Sequence, residues 1–325
     1  MTLRFKVAVS AGLLALLAVV LPWGQVGEAI GRLTPAVWGG VLAGFLFGHG
    51  LGLVKWRLLV NAGRARLDRT DGLLCYSAGL FANLCLPSIV GGDVLRMALA
   101  ARCTRRPEAA LLGGVLDRLS DLAGTALLVA GGVLAAHRTV AGWSGGVLTA
   151  VLVTGFAALA LAVPAAVRRP LARWPRRIRR PLGRTLVALR RLRRQPRLAL
   201  AALGLSLAMQ GGFVLLNAWL GHQLGIAVPL AVWFLVWPLA KLAGLLPISL
   251  GGLAVRETTL AALLVPFGVP FAVGVVCSLL WQTVLIAGGL AGGLVWLLLA
   301  RRAGGAPAAP MAWTLPASRH PAGHG

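Results

Sequence analysis

The sequence predicts an all-α polytopic membrane protein made of inverted repeats, with about six full spans plus two re-entrant helical hairpins. Three observations predict it. The 325 residues are 58% hydrophobic and only 12% charged, about half the charged share of a soluble chain. Several apolar runs are long enough to cross a bilayer, and most basic residues lie between them. Finally, Leu86, Pro87, Gly91, Gly92 and Arg96 recur as Leu246, Pro247, Gly251, Gly252 and Arg256, each displaced by 160 positions. Each set interrupts apolar sequence with a proline, a glycine pair and charge.

Residues 5–21 form an apolar run after Arg4 and Lys6. Pro22-Trp23-Gly24 lacks a small-x-small cleavage site, so the run is read as a spanning helix. Thr34-Pro35 supplies a hydroxyl cap and a first-position proline for a span at about 36–59. Residues 71–86 and 93–104 are shorter apolar arms around the first break, followed by spans at 108–136 and 145–167. A segment at 168–197 holds thirteen arginines and four prolines. The plan then repeats: a span at 198–220, arms at 230–246 and 253–266, and a long span at 271–300. Shifting by 160 lays 38–60 on 198–220, 70–104 on 230–264 and 111–140 on 271–300. Residues 1–300 are therefore expected to be one membrane domain. Repeat one covers about 36–140, an extra span 145–167, a basic cytoplasmic loop 168–197 and repeat two about 198–300. A disordered cytoplasmic tail is expected at 301–325.

Of the 32 basic residues, 24 fall in the amino terminus, the 61–70, 102–106 and 168–197 loops and the carboxyl tail. The positive-inside rule makes all of these cytoplasmic, both termini included. The first broken pair then enters from the cytoplasm and the second from outside, which inverts the repeats. Arms of some 12 to 17 residues reach roughly 18–25 Å, short of the ~30 Å hydrocarbon core. They suit re-entrant hairpins whose tips meet near the midplane. The alternative is that each arm crosses a thinned membrane.

The breaks carry the candidate chemistry. Gly91 and Gly92, like Gly251 and Gly252, permit special backbone at a turn that opens a half-helix, whose amino end favours an anion. Arg96 and Arg256 follow one turn later as bidentate phosphate partners, and Asn83, Ser88 and Ser249 offer further polar contacts. Alternatively the arginines neutralise carboxylates. Asp93 shares a helix face with Arg96, whereas Glu257 sits about 100° round the helix from Arg256. In the long span, Asp117 and Asp121 lie four apart, suited to sharing a proton for coupling; Arg118 or a hairpin arginine is the competing neutraliser. Lys241 and Gln282 are weaker candidates, Lys241 as a partner for Glu257.

Neither the four cysteines nor the five histidines show ligand spacing, so no metal site, disulfide framework or cofactor is expected. The net charge of +24 reads as membrane orientation, with no nucleic-acid partner.

Taken together, Asn83-x-x-x-Pro87-x-x-x-Gly91-Gly92-Asp93-x-x-Arg96, Asp117-Arg118 and Pro247-x-Ser249-x-Gly251-Gly252-x-x-x-Arg256-Glu257 resemble the flippase-like membrane domain of the lysylphosphatidylglycerol synthetase family. The resemblance covers about residues 5–300. It implies a polytopic inner-membrane protein that moves a lipid or lipid-linked group between leaflets, with hopanoid or other isoprenoid lipids among the possibilities. Relatives that aminoacylate phosphatidylglycerol carry a soluble transfer domain after the membrane part, so no aminoacylation is expected here. Ala254 departs from a glycine often found there in relatives.

The expected function is a non-enzymatic lipid flippase or transporter, with membrane lipids of anionic headgroup as partners and a separate lipid-modifying enzyme as a further one. The rivals are an intramembrane enzyme acting on a lipid-linked phosphate, using Asp93, Asp117 and Glu257, and a non-catalytic partner of a lipid-modifying enzyme.

Overall fold

The computed structural model describes residues 33–86, 91–104, 106–136, 195–244 and 254–302, with isolated positions between 24 and 31. The described residues form eight α-helices and one 3-10 turn, with no strand among them. In chain order these are α1 (Pro35–Ala62), α2 (Arg69–Cys85), α3 (Gly91–Cys103), α4 (Pro107–Ala136), α5 (Pro196–Gln223), α6 (Leu230–Gly244), α7 (Val255–Leu264), the 3-10 turn Val265–Phe267, and α8 (Phe271–Arg302).

Helices α1, α4, α5 and α8 are long and apolar enough to cross a membrane. They expose large apolar side chains such as Phe47, Leu134, Leu200 and Leu294, which water would penalise and lipid would not. The chain is a multi-pass membrane protein. Helix α1 starts as its sequence signals, with the Thr34 hydroxyl accepting from the Val37 N–H at 3.4 Å and Pro35 at the first turn. At the other interruption of repeat one, Asp68 caps α2 by accepting from the Thr70 N–H at 3.2 Å. The spans expected at 5–21 and 145–167, the basic segment 168–197 and the tail beyond 302 lie outside the described residues.

Shifted sequence becomes shifted packing. Helix α1 lies along its counterpart α5; α8 packs on α2, and α4 packs on α6. Within each repeat the arms pair (α2 with α3, α6 with α7), and the second arm meets the long helix (α3 with α4, α7 with α8). Exchanging the repeats maps the pairing of α1 with α5 onto itself and each of the others onto its counterpart. Glycines permit the closest crossings. A Cβ on Gly292 of α8 would stand 3.1 Å from the Ser77 carbonyl oxygen in α2; on Gly132 of α4, 160 residues earlier, it would stand 2.9 Å from the Leu235 nitrogen in α6.

The first break is held by close approach. A Cβ on Gly92 would lie 2.1 Å from the Gly79 carbonyl oxygen, and one on Gly79 would lie 2.8 Å from that of Gly92. Asn83 Oδ1 accepts from the Gly92 N–H at 3.0 Å, tying the end of α2 to the start of α3. Neither Gly91 nor Gly92 takes a positive φ. This corrects the expectation of special backbone there, because contact between the arms is what excludes a side chain. Residues 87–90 and 245–253, with Ser88, Ser249, Gly251 and Gly252, lie outside the described residues. At the start of α7, Ala254 has φ 67° and ψ −34° and is fully buried, a conformation that costs an L-residue roughly 1–3 kcal/mol.

Candidate functional site

Between the repeats lies a cavity of about 280 Å³, and every one of the eight helices contributes to its lining. One wall is aromatic. Phe45 stacks on Phe213 with centroids 5.4 Å apart, and Trp281 meets Trp237 edge-on at 6.0 Å. The remainder carries ionisable side chains, each of which would cost several kcal/mol in hydrocarbon without partners.

The repeat-one side is a closed network of ion pairs. Arg96 Nη2 donates to Asp117 Oδ2 at 2.6 Å and stands 3.1 Å from Asp93 Oδ1. Arg118 Nη2 donates to the same Asp93 oxygen at 2.5 Å. From α1, Lys55 donates to Asp121 Oδ1 and stands 3.1 Å from Asp117 Oδ1. That second contact is an ion pair outside hydrogen-bond alignment, so Asp117 Oδ1 has no hydrogen-bond donor among the described residues. Ser206 of α5 donates to Asp121 at 2.7 Å. The Arg96 guanidinium also faces the Trp56 and Tyr76 rings at 5.3 and 5.2 Å. Lys55, Asp93, Arg96, Asp117 and Asp121 are buried, whereas the Arg118 side chain is half exposed. Three cations meet three carboxylates.

The repeat-two side is sparser. Arg256 Nη2 donates at 2.6 Å to both Glu257 Oε1 and Gln282 Oε1. Arg256 Nε and Glu257 Oε2 are buried without partners among the described residues. Lys241 Nζ donates to Gln210 Oε1 at 2.6 Å and stands 5.4 Å over the Trp237 ring. Gln210 in turn donates to Thr125 at 3.2 Å, which extends the polar chain back into α4.

The cavity gathers Asn83, Arg96, Asp117, Arg118, Asp121, Lys241 and Arg256 from the sequence-derived candidates, with Asp93 and Glu257 one contact behind. Three pairings differ from expectation. Asp117 and Asp121 do not form a bare proton-sharing pair: the competing neutralisers, Arg96 from a hairpin at 2.6 Å from Asp117 and Arg118 at 3.8 Å from Asp121, are both in place, and the unexpected Lys55 stands between the two carboxylates. The Arg256 side chain bends back onto Glu257, overcoming their offset around the helix. Lys241 bonds Gln210 and not Glu257. Sequence reasoning missed Lys55, which sits within a mostly apolar span. It also missed His49, whose Nδ1 lies 3.1 Å from the Tyr76 hydroxyl on the cavity wall. An ionisable residue inside a predicted span was the available signal.

The protein family described as the lysylphosphatidylglycerol synthase TM region matches residues 4–306. The chain belongs to that family. Membership of the lysylphosphatidylglycerol synthase TM region ties this helical membrane protein to a lipid-related role. No curated protein and no solved structure matches the chain.

Proposed function

We propose that this member of the lysylphosphatidylglycerol synthase TM region is a flippase or transporter that carries an anionic phospholipid, or a lipid-linked group of isoprenoid or hopanoid type, between leaflets. The observation that carries the reading is a charged cavity lined by all eight described helices of both repeats, inside a protein whose outer faces are apolar. A headgroup in the cavity would exchange water for fixed charges and amides, while its tails stay against the apolar exterior. Because α2, α3, α6 and α7 have 17, 13, 15 and 10 residues, they reach only roughly 15–25 Å. Such arms suit re-entrant hairpins that rock with their repeats to open the cavity to one side and then the other. In this reading both termini are cytoplasmic, the membrane is the bacterial inner one, and no bond in the lipid is made or broken.

The test is leaflet exchange of fluorescent phosphatidylglycerol in liposomes containing the purified chain. Exchange should rise well above protein-free liposomes and fall at least tenfold in Arg256→Gln, with the variant still monodisperse. Exchange at the protein-free rate, or chemical turnover of the lipid in its place, would refute the proposal.

A further inference from the structure

All eight carboxylates of the chain are accounted for, namely Glu28, Asp68, Asp71, Asp93, Glu108, Asp117, Asp121 and Glu257. The two breaks, residues 87–90 and 245–253, contain no charged residue. The charge balance around the cavity can therefore be drawn up in full for acids. On the repeat-one side Lys55, Arg96 and Arg118 are matched by Asp93, Asp117 and Asp121. On the repeat-two side Arg256 has Glu257, and no carboxylate lies within ion-pair distance of Lys241 among the described residues.

From this asymmetry we infer that the ligand is a singly charged phosphodiester headgroup, and that it binds against repeat two at Lys241 and Arg256 instead of symmetrically between Arg96 and Arg256. The inference rests on the transport reading and narrows it. Lys241 has three donors and uses one on Gln210. Arg256 pairs with one carboxylate, Glu257, and a neutral amide, Gln282, where Arg96 pairs with two carboxylates; the Nε of each arginine is buried without a partner among the described residues. Among the described residues the lining carries one net positive charge, which one negative charge neutralises. A doubly charged phosphomonoester would leave one anion uncompensated, and a zwitterionic headgroup would leave the cavity positive. At about 280 Å³ the space holds a small headgroup but no acyl chains. Arg96, whose charge is met by two carboxylates and two rings, is a positioning residue of the scaffold.

The experiment measures equilibrium binding to the full chain in detergent, with dioctanoyl phosphatidylglycerol, phosphatidylcholine and phosphatidic acid, and with glycerophosphoglycerol lacking tails. Phosphatidylglycerol should bind at least tenfold more tightly than phosphatidylcholine, and at least as tightly as phosphatidic acid. Tail-free headgroup should bind far more weakly, which marks the ligand as lipid and not a free soluble anion. Lys241→Gln should weaken phosphatidylglycerol roughly tenfold or more, the loss of one charge-assisted hydrogen bond. Lys241→Arg should restore it, and Arg118→Gln on the balanced side should cost less than Lys241→Gln. Equal affinity for phosphatidylcholine, tighter binding of phosphatidic acid, or no loss in Lys241→Gln overturns the inference. Those outcomes leave the transport proposal standing if leaflet exchange is seen; selective binding without exchange removes transport and keeps the site.

Discussion

Replacing Lys55 with methionine keeps the length and apolar stem of the side chain while deleting its charge. Its ammonium is 1% exposed and joins α1 to two carboxylates of α4, Asp117 at 3.1 Å and Asp121 in closer contact. Removing one partner of a buried ion pair costs about 3–5 kcal/mol, because a charge is left uncompensated. Here Asp117 retains Arg96 at 2.6 Å and Asp121 retains Ser206 at 2.7 Å, so the expected loss lies at the lower end, near ~3 kcal/mol. Asp121→Asn alone leaves Lys55 with Asp117 and should cost a similar amount. The double change K55M/D121N leaves two cations with two carboxylates, and should recover about 2 kcal/mol relative to adding the single losses. Unfolding of the detergent-purified chain by heat or by sodium dodecyl sulfate titration measures this, with tertiary near-ultraviolet signal as the readout. If K55M stays within about 1 kcal/mol of the parent, or if the losses simply add, the buried network does not hold α1 to α4 and the charge balance drawn above fails.

The remaining predictions test the breaks and a cap. Ala254→Gly relieves roughly 1–3 kcal/mol of positive-φ strain and gives up one buried methyl worth ~0.8 kcal/mol, so the variant should be equally or more stable; a clear loss would show that the methyl outweighs the strain. Gly92→Ala drives a Cβ to 2.1 Å from the Gly79 carbonyl oxygen, backbone that cannot yield, and should cost more than the ~1–3 kcal/mol of ordinary overpacking. Gly50→Ala and Gly204→Ala meet nothing within 4 Å and should be neutral or slightly stabilising in the same assay. The Asp68 carboxyl, held below its usual range by the backbone N–H groups of Arg69 and then Thr70, stabilises α2 above the unfolded-state pKa. That support is lost as the pH falls through the folded value. Asp68→Asn should therefore flatten the acid limb of the stability curve, and an unchanged acid limb would refute the cap's contribution.

The scaffold was legible because its signals are periodic and local. Apolar length marked α1, α4, α5 and α8, Thr34-Pro35 marked the start of α1, and the 160-residue offset marked which helices correspond. Spacing on one helix also brought Asp93 and Arg96 together, as the 3.1 Å contact has it. What stayed hidden depends on side chains meeting across helices. Lys55 reaches α4 and Lys241 reaches Gln210 on α5; a hairpin arginine was expected at Asp117, but not that Arg96 is the one that reaches it. No helical periodicity encodes a partner on another helix. Glu257 shows the converse failure, where a long guanidinium arm bends around an offset that backbone geometry alone would call unfavourable.

The two repeats have kept one architecture and diverged in charge. Asp117 and Asp121 correspond at the 160-residue offset to Cys277 and Trp281, Lys55 to Leu215, and Lys241 to Phe81. Where repeat one places two carboxylates on its long helix, repeat two places a buried thiol and an indole. Arg256 has one carboxylate where Arg96 has two, and among the described residues the surplus charge sits on Lys241. A site with two fully paired halves would hold its helices together but offer an anion no reason to leave water. A site with two unpaired halves would collapse the fold or draw in two charges. Balancing one repeat and not the other lets the same inherited cavity support the helices on one side while leaving a single positive charge to be met on the other.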